Sequence, residues 1–107
     1  MEVYNTLGKG FSEIVYKDAL EYEFKKRLIP YRRERGYDIP YKDAILEHKY
    51  FADFVVYDKI TLEVKSATSI VDGNIKQTLN YLAITKHKLG LIVNFGEDSL
   101  VYKRVLL

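Results

Sequence analysis

The chain has 107 residues, 48% of them apolar and 30% charged, with a net charge of +2, two histidines and no cysteine. That length and composition fit one small domain with a packed core, and they exclude disulfides and thiolate zinc sites. No stretch approaches the roughly 20 apolar residues of a membrane span, and the N-terminus lacks the basic start and apolar centre of a signal peptide, so a cytoplasmic setting away from membranes is expected.

Taken in chain order, Gly8 and Gly10 punctuate the start, and Ser12 is placed to cap a helix over about 11–28. Phe11, Val15, Ala19 and Tyr22 recur at helical spacing, and Leu20, Phe24 and Leu28 widen the stripe. Lys25, Lys26, Arg27, Arg32, Arg33 and Arg35 then crowd one stretch, a cluster able to meet a phosphate backbone. From 29 to 41 the chain reads as extended, because Pro30, Gly36 and Pro40 oppose a helix. Two apolar strands follow at about 50–57 and 60–66. Asp72-Gly73-Asn74 opens a second helix, about 75–85. The run 89–95 reads as a buried strand and 99–107 as a closing edge strand. The order helix, three strands, helix, two strands predicts an α/β three-layer sandwich, a mixed four- to five-stranded sheet flanked by helices. The link from strand 60–66 through the second helix to 89–95 reads as a right-handed parallel crossover.

Charges inside the two central strands are the features that a core does not explain. Asp53 follows Ala52 in one strand, and Glu63-Val64-Lys65 ends the next; such charges are costly to bury unless they pair or bind a cation. Side chains alternate along a strand, so Glu63 and Lys65 share a face. A two-residue turn at Asp58-Lys59 would set Asp53 and Glu63 on opposite faces. A three-residue loop, Tyr57-Asp58-Lys59, pairs Val56 with Ile60 and brings Asp53 opposite Glu63, with β-carbons roughly 4.5–5.5 Å apart. The odd-length loop is the prediction. Two carboxylates so placed suit magnesium or manganese, hard ions that prefer oxygen. A nearby lysine can steady charge in the transition state of phosphodiester hydrolysis. Gln77 and Tyr81, four apart, fall on one face of the second helix and are expected to aim at the carboxylates. Glu13 sits in the first turn of the first helix, where the dipole stabilises a carboxylate.

Gly10-x-x-Glu13-x-x-Tyr16, Ala52-Asp53, Glu63-Val64-Lys65 and Gln77-x-x-x-Tyr81, in this order over nearly the whole chain, resemble the GxxExxY family, a branch of the PD-(D/E)xK nuclease superfamily. The resemblance implies a restriction-endonuclease-like fold and a magnesium-dependent nuclease. In it Glu13, Asp53, Glu63 and Lys65 would be catalytic, and Asp53, Glu63 and the Val64 carbonyl would hold the metal. Gln77 and Tyr81 would match the Gln-x-x-x-Tyr element of RecB-like nucleases and touch substrate. Arg32, Arg33 and Arg35 are the expected phosphate grips, and Glu34 lies where related sequences often carry an acid. Ala52 replaces the superfamily's proline, which supplies no ligand, and the N-terminal helix is expected to be short. The competing reading is a catalytically silent nucleic-acid-binding or assembly module on the same scaffold. Ten tyrosines and a closing edge strand are compatible with a homodimer.

Overall fold

The computed structural model describes residues 2–107. A short helix α1 (Glu2–Leu7) precedes the longer α2 (Glu13–Lys26). The latter stops two residues before the expected end, because Leu28 takes a φ of 56° and the Ile29 N–H turns back to the Phe24 carbonyl at 2.9 Å. That is the geometry of a helix closed by a left-handed residue. Ser12 sits at the N-cap, but its side chain makes no capping hydrogen bond; its carbonyl accepts from the Val15 N–H instead.

Strand β1 (Tyr31–Tyr37) is followed by a small separate hairpin, β2 (Pro40–Tyr41) and β3 (Ala44–Ile45), and then by β4 (Tyr50–Val56), β5 (Ile60–Lys65), α3 (Asp72–Thr85), β6 (Leu89–Asn94) and β7 (Val101–Leu106). The main sheet is mixed and five-stranded, in the order β1-β4-β5-β6-β7. Its pairs are antiparallel except β5 with β6, which α3 joins in parallel. The hairpin 40–45 is the element that apolar periodicity does not reveal: its residues are exposed, and its turn depends on Lys42 at a φ of 56°.

Helices cover both faces. Tyr16 and Leu20 of α2 pack with Phe54, Leu62, Val64 and Phe95, while Leu82 of α3 packs with Ile92 and Val105. Burying side chains of this size stabilises the fold by about 1.5–3 kcal/mol each. Tyr16 also explains the spacing of the Gly10, Glu13, Tyr16 motif. Its fully buried ring stacks on Phe95 at 4.4 Å, and its hydroxyl donates to the Gly8 carbonyl at 2.6 Å and accepts from the Phe11 N–H at 3.2 Å. Gly10, between them, has a φ of 112°, a conformation that L side chains rarely adopt. The first turn of α2, with Glu13, is thereby fixed against the end of the sheet.

Candidate active site

The β4–β5 connection sets the register. Val56 pairs with Ile60, Val55 with Thr61 and Phe54 with Leu62, leaving the three-residue loop Tyr57-Asp58-Lys59. Tyr57 and Asp58 both take positive φ, 56° and 55°, so the loop is tight. Continuing the count by one residue sets Asp53 across from Glu63. Both carboxyls line a cleft of about 410 Å³ whose wall also includes Glu13, Lys65 and Tyr81.

Neighbours hold each acid in place. Asp53 Oδ2 accepts from the Val64 N–H at 2.8 Å, and its Oδ1 lies 3.3 Å from Lys17 Nζ. Lys17 reaches over from α2 and also donates to Glu34 at 2.6 Å. Glu34 has a φ of 53° and lies between Arg33, paired with Phe54, and Arg35, paired with Ala52. That places a non-glycine residue with left-handed backbone beside Asp53. Glu63 is only 5% exposed and accepts a hydrogen bond from the Tyr50 hydroxyl. Burial and the neighbouring Asp53 push its carboxyl up to about 8, against the lowering effects of Tyr50 and Lys65. The Tyr50 ring is in turn stacked on Tyr81 at 3.8 Å. Burial and the nearby acid raise the pKa of both phenols.

A buried carboxyl beside a second carboxyl is short of positive charge, and a hard divalent ion would supply it. Magnesium commonly keeps several waters and takes only one or two protein carboxylates, so Asp53 and Glu63 fit such an ion. Among the described residues no three histidine, aspartate or glutamate side chains gather into a fuller cage. Glu13 stands at the exposed rim, where its Oε2 accepts from the Ser66 N–H at 3.3 Å.

The cleft thus brings together Glu13, Asp53, Glu63, Lys65 and Tyr81. It leaves out four of the residues expected to bind substrate. Gln77 is exposed and outside the lining: the buried stripe of α3 is Thr78, Leu82 and Thr85, Tyr81 lies on its shoulder, and Gln77 falls about 40° further round the helix. Arg33 is held by Asp18 at 2.8 Å and Glu21 at 3.1 Å. Arg32 lies 3.7 Å from Asp58 at the β4–β5 turn. Arg35 donates to the Tyr37 hydroxyl and lies over that ring at 4.8 Å. Lys17, Lys49, Tyr50 and Phe51 are residues of the site that sequence reasoning missed. Lys17 follows Glu13 by four residues on one helix face, a usable signal. A larger cleft, about 800 Å³, opens at the opposite ends of β5 and β6, but Asp58 is the lone carboxylate of its lining.

A family model for the PD-(D/E)XK nuclease superfamily matches residues 1–105. No curated protein matches the chain. Among solved structures, the crystal structure of SSO0001 aligns with a TM-score of 0.69 and 18% identity, over 86% of this chain and 48% of that one. This likeness is one of fold, and the chain spans about half the length of that protein. No helix among the described residues is long and apolar enough to cross a membrane.

Proposed function

The chain belongs to the PD-(D/E)XK nuclease superfamily, and from that premise we propose that it is a nuclease, hydrolysing phosphodiester bonds of DNA or RNA with magnesium or manganese. One observation carries the reading: the Asp53 and Glu63 carboxyls meet in an open cleft with Lys65 beside them. Asp53, Glu63 and the Val64 carbonyl would hold the ion, which would supply polarisation of the phosphate and a lowered pKa for bound water. The Lys65 amine donates to the phosphate oxygens as negative charge develops on them. The Tyr50 hydroxyl keeps Glu63 turned toward Asp53, and the Val64 N–H does the same for Asp53. Glu13 works through the main chain, bracing Ser66 directly after Lys65.

The Gly10, Glu13, Tyr16 spacing, with Tyr16 tying Gly8 to Phe11, supports placing the chain in the GxxExxY branch. The whole chain is then a single nuclease-like domain.

The test is isothermal titration with manganese and magnesium, beside cleavage assays on single- and double-stranded DNA and on RNA. Metal binding and cleavage that both disappear in Asp53→Ala are expected. Cleavage of every substrate at the parent rate by Asp53→Ala would overturn the proposal. Lys17 favours a second reading, a binding module without turnover, because it already sets a cation against Asp53. Nucleic-acid binding undiminished by chelator, with no cleavage of any substrate, would select that reading.

A further inference from the structure

We propose that the Phe51 ring is a stacking platform for an unpaired nucleobase, so that the site takes single-stranded rather than duplex nucleic acid; this rests on the nuclease reading above. Phe51 is 55% exposed, yet it is not loosely held. It pairs with Gly36 across the β1–β4 ladder, and its Cε1 and Cδ1 lie 2.9 and 3.3 Å from where a Cβ on Gly36 would stand. The ring occupies the space that any other residue would fill. It is therefore seated against bare backbone on one side while more than half of its surface stays open.

Its position gives that open surface a use. Phe51 lines the cleft of Asp53 and Glu63 and precedes Asp53 by two residues on one strand. Lys49 lines the same cleft, and its Cδ is 3.5 Å from the same Gly36 position, so the lysine stem runs beside the ring. Lys49 Nζ lies 3.1 Å from Asp38, but both side chains are about half exposed, and exposed pairs of this kind hold weakly and exchange readily. A fixed aromatic face beside a mobile cation is the combination that binds single strands: a base stacks on the ring while the backbone phosphate meets the amine. It is indifferent to sequence because every base has a π-face. A duplex has its bases stacked on one another and offers none to the ring without unpairing.

The experiment uses the Asp53→Ala background, which separates binding from cleavage, and fluorescence anisotropy with a short labelled oligothymidylate. Adding Phe51→Leu is expected to weaken binding about tenfold, whereas Phe51→Trp retains it. The same oligonucleotide annealed to its complement is expected to bind more weakly and with no dependence on residue 51. Gly36→Ala displaces the ring without removing it and should reproduce the loss, so the idea stays testable even where Phe51→Leu folds poorly. Equal affinity across the Phe51 variants, or a duplex held as tightly as the single strand, would overturn the platform. Cleavage by the parent chain is scored separately. Phe51-dependent binding without any cleavage keeps the platform and sinks the nuclease, and metal-dependent cleavage with Phe51-independent binding does the reverse.

Discussion

Glu63 is a liability to the fold. Its carboxyl is buried, pushed up to about 8 by burial and by Asp53, and held by the Tyr50 hydroxyl. Glu63→Gln preserves the shape and an acceptor for Tyr50 while deleting the repulsion between the acids. In chelator the variant is expected to gain about 1–2 kcal/mol in urea unfolding, the usual size of the gain from a stabilising substitution. It should also show no rise in melting temperature with manganese, whereas the parent is expected to show one if the proposed ion binds its native state. A variant less stable than the parent in chelator would show that Glu63 is not strained. The convergence of Asp53, Glu63 and Lys65 is legible in the sequence because strand alternation and loop length are both counted in residues. The groups that hold them are harder to read: Lys17 is marked only by its spacing from Glu13 on α2, and nothing local shows that Tyr50, three residues before Asp53 on β4, reaches Glu63. The arginines show the converse. A run of cations reads as free until the facing helix is known, and here Asp18 and Glu21 of α2 already hold Arg33.

Among the elements, the end of β6 is clamped to the segment leaving β5 by one side chain. Asn94 is fully buried: its Oδ1 accepts from the Ala67 and Gly96 N–H groups at 2.9 and 3.1 Å, and its Nδ2 donates to the Ala67 carbonyl at 2.9 Å and to Glu97 at 2.8 Å. Gly96 permits this closeness, for a Cβ there would stand 2.3 Å from the Ala67 oxygen. Asn94→Ala leaves both polar groups of Ala67 without that partner and is expected to cost about 2–3 kcal/mol in urea unfolding. A loss inside experimental error would show that water replaces the amide and that the clamp is dispensable. At this scale the order of the long elements is legible from periodicity alone. The β5–α3–β6 unit is the clearest case, because a buried run, a polar start and a helical stripe follow one another. The hairpin 40–45 is hidden because nothing in it is buried, and the Asn94 clamp because a buried strand over 89–95 does not show which backbone groups its one amide will meet.

Across the whole molecule, the two ends of the parallel pair β5–β6 respond oppositely to acid. The Asp53–Glu63 cleft lies toward one end; at the other, Lys59, Lys86 and Lys88 share a cleft with His87. Burial and Arg35 lower the His87 pKa, with Asp58 opposing. The ring is hydrogen-bonded to the buried Thr61 hydroxyl at 2.9 Å and meets Tyr37 edge-on. In the unfolded chain histidine takes up a proton near its ordinary value of about 6.5, whereas the folded protein takes it up only at lower pH. The neutral ring's contribution to stability is thus present above about 6.5 and lost as pH falls from there through the folded value. Glu63 acts in the opposite sense, because its raised pKa lets the folded state bind a proton first as pH falls from about 8. The two effects offset each other in the parent, so the informative quantity is a difference. His87→Gln retains a partner for Thr61 but cannot titrate. The stability of the parent minus that of the variant, from urea unfolding, is expected to fall between about pH 7 and pH 5.5. A difference that stays constant over that range would show that His87 charges as readily in the folded protein as outside it.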